Sequence, residues 1–301
     1  MNIRKLKIFY ATATSLNMTK VAKELYISQP SVSQAIHEFE EEIGARLFDR
    51  IGKRIYLTNE GEVCLNYVRR ILNLYEEATE KVNEITNQEK GKIKIGASTT
   101  IGTYILPDIL KEFVEVHKGI EISLIIENTT NIEKLILENK VDFAFVEGRI
   151  ISEEINKIPV WKDEIVFITS AKHPLGDKGI ITPKELKKEK LIMREFGSGT
   201  REIVESFFLE KNIDYRIFME LGNTEAIKKS VEANLGVGCI SKRCLEDKVE
   251  KGELKTLRMD CGNINRELIL IIHKDKFMNN NMKEFIKFIR SEEHTSELQS
   301  P

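Results

Sequence analysis

The sequence predicts a chain in three parts: an all-α N-terminal winged helix-turn-helix domain, a long coiled-coil linker helix, and a two-lobed α/β domain. Three observations predict it. Residues 17–39 read as two short helices with a tight turn between them. Apolar residues from Cys64 to Ile85 recur at alternating spacings of four and three. From Lys92 onward, short apolar runs of strand length alternate with helical patterns. A chain of 301 residues is long enough for two or three domains, each with its own core.

Residues 2–15 form a first helix with Ile3, Leu6, Phe9, Tyr10 and Ala13 on one face. Asn17 caps the next helix, whose apolar face holds Met18, Val21, Ala22 and Leu25. Tyr26, Ile27 and Ser28 make the turn, and Ser28 caps a helix from Gln29 to about Glu42, with Pro30 near its first position where the missing N–H is harmless. That helix buries Val32, Ala35, Ile36 and Phe39 and turns Gln29, Ser31, Ser33, Gln34 and His37 outward. Uncharged hydrogen-bonding side chains at the start of the second of two crossing helices suit a DNA major groove, where Gln pairs with adenine edges. A helical hairpin in any small bundle would show the same spacing. Leu47 and Phe48 plug the core, and residues 49–58 make a hairpin on Gly52 that presents Arg50, Lys53 and Arg54 together, a wing gripping phosphate or else a solvated turn. Residues 1–58 hold nine basic and six acidic side chains, and the basic ones flank the proposed reading helix.

Thr58 caps a helix running to about Glu89. Its seam of Cys64, Val68, Ile71, Tyr75, Ala78, Val82 and Ile85 is a heptad pattern, which predicts a two-helix coiled coil and a homodimer that reads two half-sites. Residues 86–91 are a linker. The α/β part reads as strand 93–97, helix 105–116, strand 121–127, helix 132–138 and strand 141–146. A second unit begins near Glu164, with strands 165–169, 191–194, 216–220 and 237–241 and helices 183–188, 200–211 and 224–235. A last strand (267–273) and helix (282–289) returning to the first unit would give the layout of a periplasmic-binding-protein cleft. The domains expected are 1–58, 59–90 and 91–290, with lobe I at about 91–161 and 265–290 and lobe II at about 162–264.

Composition narrows the function. A net charge of −2 gives no global nucleic-acid signature, and the four cysteines (Cys64, Cys239, Cys244, Cys261) lack disulfide or metal-ligand spacing. No signal peptide and no membrane-length apolar run are read, so a cytoplasmic protein with reduced thiols and no membrane partner is expected. Nor is there a nucleophile–base order, a paired-carboxylate geometry or the Lys of a P-loop, so the chain does not read as an enzyme. The alternatives are a redox sensor built on Cys239 and Cys244, or, further off, an α/β enzyme fused to a DNA-binding domain. Residues 290–301 abandon the preceding apolar period and resemble an in-frame translation of a common sequencing adapter; 291–301 reads as a non-native tail.

Taken together, the segment TKVAKELYISQPSVSQAIHEFEEEIGARLFDR, the LTNEG after it and the heptad helix resemble a LysR-type transcriptional regulator, over essentially residues 1–290. The resemblance implies a dimer of dimers on double-stranded promoter DNA, a small-molecule effector between two lobes and no other cofactor, with RNA polymerase a further partner if the protein is an activator. It implies Gln29, Ser31 and Ser33 at the bases and Arg50 and Arg54 at phosphate; Pro30, Gln34 and Lys53 join them in the expected DNA face. Ser98, Thr99 and Thr100 follow the first strand, where the family places hydroxyls for its ligand. In the turn MREFGSGTR, residues 193–201, Ser198, Gly199 and Thr200 open a helix and offer hydroxyls beside free N–H groups, a nest for an anion. A tight strand-to-helix turn would use the same glycines. Thr129, Asn223 and Cys239 stand where lobes could meet. The turn resembles the branch sensing sulfur-assimilation or carbon-fixation metabolites, so a small anionic metabolite is expected, although Glu147 near the same rim works against one.

Overall fold

The computed structural model describes residues 2–52, 54–86, 91–245, 248–249 and 251–290, with backbone alone for 80, 81 and 83–86. Lys53, most of the linker and the 291–301 tail therefore lie outside the described residues. The chain divides into two units, Met1–Glu89 and Lys90–Pro301.

In the first unit, helices α1 (Ile3–Ser15), α2 (Met18–Glu24) and α3 (Gln29–Ile43) precede strands β1 (Phe48–Ile51) and β2 (Arg54–Leu57) and the long helix α4 (Asn59–Thr86). Asn17 accepts from the Lys20 N–H and Ser28 from the Ser31 N–H, each satisfying a first-turn donor. Gly44 ends α3 in the left-handed conformation that favours glycine. Phe9, Val21, Val32, Ile36, Phe39 and Leu47 share one buried core, in which the Phe9 ring lies 5.2 Å from that of Phe39 and 5.6 Å from that of Phe48. Leu25, expected on the buried face of α2, is exposed because it lies at the C-cap, where the helix has already ended.

Helix α4 carries two apolar faces, and this corrects the expected seam. Thr58 Oγ1 accepts from the Gly61 N–H to start the helix. Val68 and Leu72 are then buried in the core of their own domain, with Cys64 and Leu65 packed beside them. At 2% exposure Val68 is used up there and cannot face a second helix. The exposed stripe lies next to it: Val63, Tyr67, Ile71, Leu74, Tyr75, Ala78 and Val82, again at spacings that share a helix side. The heptad reading had merged these two faces; the side chain of Ile85 lies outside the described residues.

The second unit runs β3 (Lys92–Ser98), α5 (Thr99–Tyr104), α6 (Leu106–Val116), β4 (Glu121–Glu127), α7 (Thr129–Leu137), β5 (Phe143–Glu147) and β6 (Ile155–Ser170). It continues with β7 (Ile180–Ile181), α8 (Pro183–Leu186), β8 (Leu191–Arg194), α9 (Gly199–Glu210), β9 (Ile217–Leu221), α10 (Thr224–Glu232) and β10 (Val237–Ser241). Strands β11 (Leu254–Met259) and β12 (Ile264–His273) and helix α11 (Asn280–Ile289) complete it. One mixed sheet results, in the order β4-β3-β5-β12-β6-β10-β8-β9, with β11 beside β6 and β7 beside β11. Each end is a parallel trio, β4-β3-β5 and β9-β8-β10, as crossover helices require. Between them β6 leaves the first half, β12 returns from the second, and the two pair antiparallel.

Both faces are covered. In the first half Ile93, Ile95 and Phe145 pack towards α6 and α11, and Ala144 and Val146 towards α7. In the second, Leu191 and Val237 pack towards α9, and Ile192 and Ile240 towards α10. Several expectations shift. A separate α5 precedes α6, β6 starts at Ile155 rather than near 165, and β7 and β11 were not foreseen. No helix among the described residues is long and apolar enough to cross a membrane.

Candidate nucleic-acid interface and effector site

The start of α3 presents Gln29, Pro30, Ser31 and Gln34 to solvent while Val32 and Ile36 hold the helix to the core. Ser28 and Ser31 hydroxyls lie 2.8 Å apart, and Gln34 Nε2 donates to Glu38 at 3.0 Å. Arg50, on β1, reaches back across the groove: its guanidinium donates to Ser33 Oγ at 3.2 Å and approaches Met18 Sδ at 3.9 Å. Ser33 and Arg50 thus form one hydrogen-bonded pair beside the outward face of α3. Arg54 is exposed on β2, and a groove of about 970 Å³ separates α3 from the hairpin.

In the second unit the carboxyl ends of β3, β5 and β10 converge on the crossing strands, the edge where open α/β sheets bind ligands. At its centre is Glu147, the last residue of β5, fully buried. Ser98, ending β3, donates its hydroxyl to Glu147 Oε2. Thr200, in the first turn of α9, donates to Glu147 Oε1 at 3.4 Å and accepts from Arg266 Nη1 at 2.8 Å. Arg266 Nη1 lies 3.7 Å from Glu147, and its Nε donates to Asp163 at 2.7 Å. Ser241, ending β10, donates to the other Asp163 oxygen at 2.9 Å. Burial alone would lower the pKa of Arg266, but Glu147 and Asp163 outweigh it and hold the guanidinium above its ordinary value.

Ser98, Thr129, Gly199 and Thr200 do come together, but their groups are engaged. Ser98 and Thr200 serve Glu147, and Thr129 Oγ1 donates to the Glu147 carbonyl at 2.8 Å. Gly199 packs so closely on that carbonyl that a Cβ would lie 2.0 Å from its oxygen. Thr99 accepts from Arg194 Nη2 at 3.2 Å, and Thr100 is buried in α5. Asn223 stands apart, its side-chain oxygen taken by the Ala226 N–H at the start of α10. Among the buried side-chain polar atoms of the described residues that have no hydrogen-bond partner, Ser198 Oγ and Arg266 Nη2 belong to this region. Arg266 and Asp163 were missed from sequence. Their signal was charge on an otherwise apolar strand face: Ile264, Arg266 and Leu268 alternate on β12, directly opposite Ile165, Asp163 and Trp161.

A second set of contacts joins the halves. Tyr104, ending α5, donates to Glu225 on α10, and Lys228 lies 2.5 Å from the same carboxylate and 4.9 Å from the Tyr104 ring. Burial and the Glu225 carboxylate raise the Tyr104 phenol. Cys239 and Cys244 are buried and free, and burial pushes the Cys244 thiol up to about 12 and Cys239 up as well. Neither is in a setting that makes thiolate at neutral pH.

The profile of bacterial regulatory helix-turn-helix proteins of the lysR family matches residues 3–62, and that of the LysR substrate binding domain matches residues 86–293. The chain belongs to the LysR family. It is therefore a transcriptional regulator with an N-terminal helix-turn-helix and a C-terminal effector-binding domain. Among LysR relatives it is 34% identical to the uncharacterized HTH-type transcriptional regulator YeiE of Escherichia coli K12, over 96% of this chain and 97% of that one. It is 30% identical to the RuBisCO operon transcriptional regulator of Allochromatium vinosum, over 97% and 96%. The Synechocystis CcmR regulatory domain, solved in complex with 2-PG, superposes with a TM-score of 0.63 at 30% identity, covering 67% of this chain and 96% of that one. CbnR, solved with its target DNA, superposes with a TM-score of 0.70 at 19% identity over 96% and 99%, a likeness of fold.

Proposed function

We propose that this LysR regulator binds promoter DNA in the cytoplasm as a homodimer, assembling further into a dimer of dimers, and that a small anionic metabolite in the cleft between its two α/β lobes modulates that binding. The proposed domains are 1–58 for DNA, 59–90 for dimerisation and 91–290 for the effector, the last built like a periplasmic binding protein. If the protein is an activator, RNA polymerase is the further partner.

The observation carrying the DNA reading is the outward set on α3, Gln29, Ser31 and Gln34, with the Arg50–Ser33 pair beside it. Gln29→Ala is expected to weaken operator binding by about 1–3 kcal/mol and relax preference at one base pair per half-site. Arg54→Ala is expected to weaken all sequences alike and lower the salt slope by about one unit. Binding titrations on operator and scrambled duplexes at several salt concentrations separate the two effects; a Gln29→Ala protein with unchanged sequence preference would refute the reading face.

For assembly, the supporting feature is the exposed stripe on α4. Ile71→Glu places a charge in that stripe and is expected to dissociate the coiled-coil dimer while sparing the domain core, because Val68 and Leu72, not Ile71, are the α4 residues buried in that core. Sedimentation showing an intact dimer would move the interface off α4.

For the effector, the buried Arg266 Nη2 and Ser198 Oγ, both without partners, supply donors for an anion among Ser98, Thr100 and Thr200. The similar CcmR domain holds 2-PG. A redox reading is disfavoured by the raised, buried Cys239 and Cys244 thiols.

A further inference from the structure

Glu147 does not sit beside an empty anion site; its carboxylate fills one. One oxygen takes the Ser98 hydroxyl from the end of β3, and the other takes the Thr200 hydroxyl from the start of α9 and faces Arg266 Nη1 at 3.7 Å. A hydroxyl from each side and a guanidinium are the donors with which a protein recognises a free carboxylate or phosphate. The donors that remain unmade, Arg266 Nη2 and Ser198 Oγ, belong to the same guanidinium and to the N-cap of the same helix. The local charge agrees. Arg266 is within ion-pair distance of two carboxylates, Glu147 and Asp163, so an incoming anion gains little from Arg266 while the Glu147 carboxylate faces it.

We infer that Glu147 is an internal stand-in for the effector's acid group: it holds the two lobes together through Ser98, Thr200 and Arg266, and an anionic metabolite enters by competing for those three partners. The inference rests on the cleft assignment above and adds how that cleft is regulated. It also orders the ligand classes. A dianionic group such as a phosphate competes with one carboxylate better than a monoanion does, and a neutral isostere does not compete.

The test uses the full-length protein and inorganic phosphate as probe. Glu147→Gln keeps the shape and an acceptor oxygen and removes the charge, so calorimetry should show phosphate binding about tenfold tighter than to the unaltered chain. Adding Ser198→Ala to that variant should reverse part of the gain. Glu147→Ala empties the site: acetate should raise its Tm increasingly with concentration, acetamide should not, and the unaltered chain should respond to neither. This arm remains informative if the Gln variant folds poorly. Equal phosphate affinity with and without Glu147, together with no acetate response, would overturn the inference. If Glu147→Gln tightens phosphate binding but Ser198→Ala has no effect on it, the stand-in role survives and the assignment of Ser198 to the cleft fails. Preference for operator over scrambled duplex, measured alongside, should be retained in every variant because the α3 face is untouched, which separates these outcomes from a failure of the DNA reading.

Discussion

Arg266→Met is expected to destabilise the effector unit by about 3–5 kcal/mol, the largest effect foreseen for any single substitution here. The side chain is 1% exposed and is the ion-pair partner of both Asp163 and Glu147. Removing it strands the buried Glu147 carboxylate and leaves Asp163 with only the more distant Arg243, whose Nε lies 3.9 Å away, and the penalty is mostly that of the poorly compensated charges rather than the worth of the pair itself. The triple variant Arg266→Met, Glu147→Gln, Asp163→Asn should therefore recover most of the loss, because it deletes the charges together. Denaturant unfolding followed by a probe in the α/β unit measures both. A loss under about 1 kcal/mol, or a triple variant no better than the single, would show that the network contributes little.

Gly199→Ala comes second. Its Cβ would lie 2.0 Å from the Glu147 carbonyl oxygen and 2.6 Å from the carbonyl carbon, and backbone atoms cannot swing aside as a side chain would. The start of α9 must move away from the end of β5, pulling Thr200 off Glu147 and Thr129 off its carbonyl. A stability loss of about 1–3 kcal/mol or more is expected, with operator binding kept and effector response lost. Gly222→Ala is the control, since nothing lies within 4 Å of its Cβ; a change within about 0.5 kcal/mol is expected there. Equal behaviour of the two alanines would mean that the close approach at Gly199 is readily relaxed.

Much of the fold was legible because period and punctuation coincide. Strands β4, β8 and β10 are short apolar runs between turn residues, and their full extents were readable. Where intrinsic preference and tertiary structure disagree, the sequence misleads. Thr99, Thr100, Ile101, Gly102 and Thr103 are poor helix formers, yet they make α5, because Gly102 lets the helix settle on Ile126, 2.7 Å from where a Cβ would be. The first half of β6 was hidden by Lys157, Pro159 and Lys162. In the structure Pro159 lies opposite Ile269, beside the register shift between Leu268 and Ile269, where a strand tolerates a proline. On α4, spacing alone could not say which apolar face meets the home domain. The hydroxyls of Ser98, Thr129 and Thr200, which meet at Glu147, could be found from the turns that carry them. Their partner Arg266 could not, since it lies 103 residues from Asp163 and only the pairing of β6 with β12 brings them together.

That pairing has a mechanical consequence. From Ile264 opposite Ile165 to His273 opposite Ile155, two strands are bonded side by side across the whole middle of the sheet. Such a ribbon resists bending in its own plane and yields most easily by twisting. The two halves are thus coupled as by a torsion bar and not by a loose joint. A ligand that prefers one angle between the halves would work against this ribbon, and the shift it could produce is bounded by the difference in its affinity for the two settings.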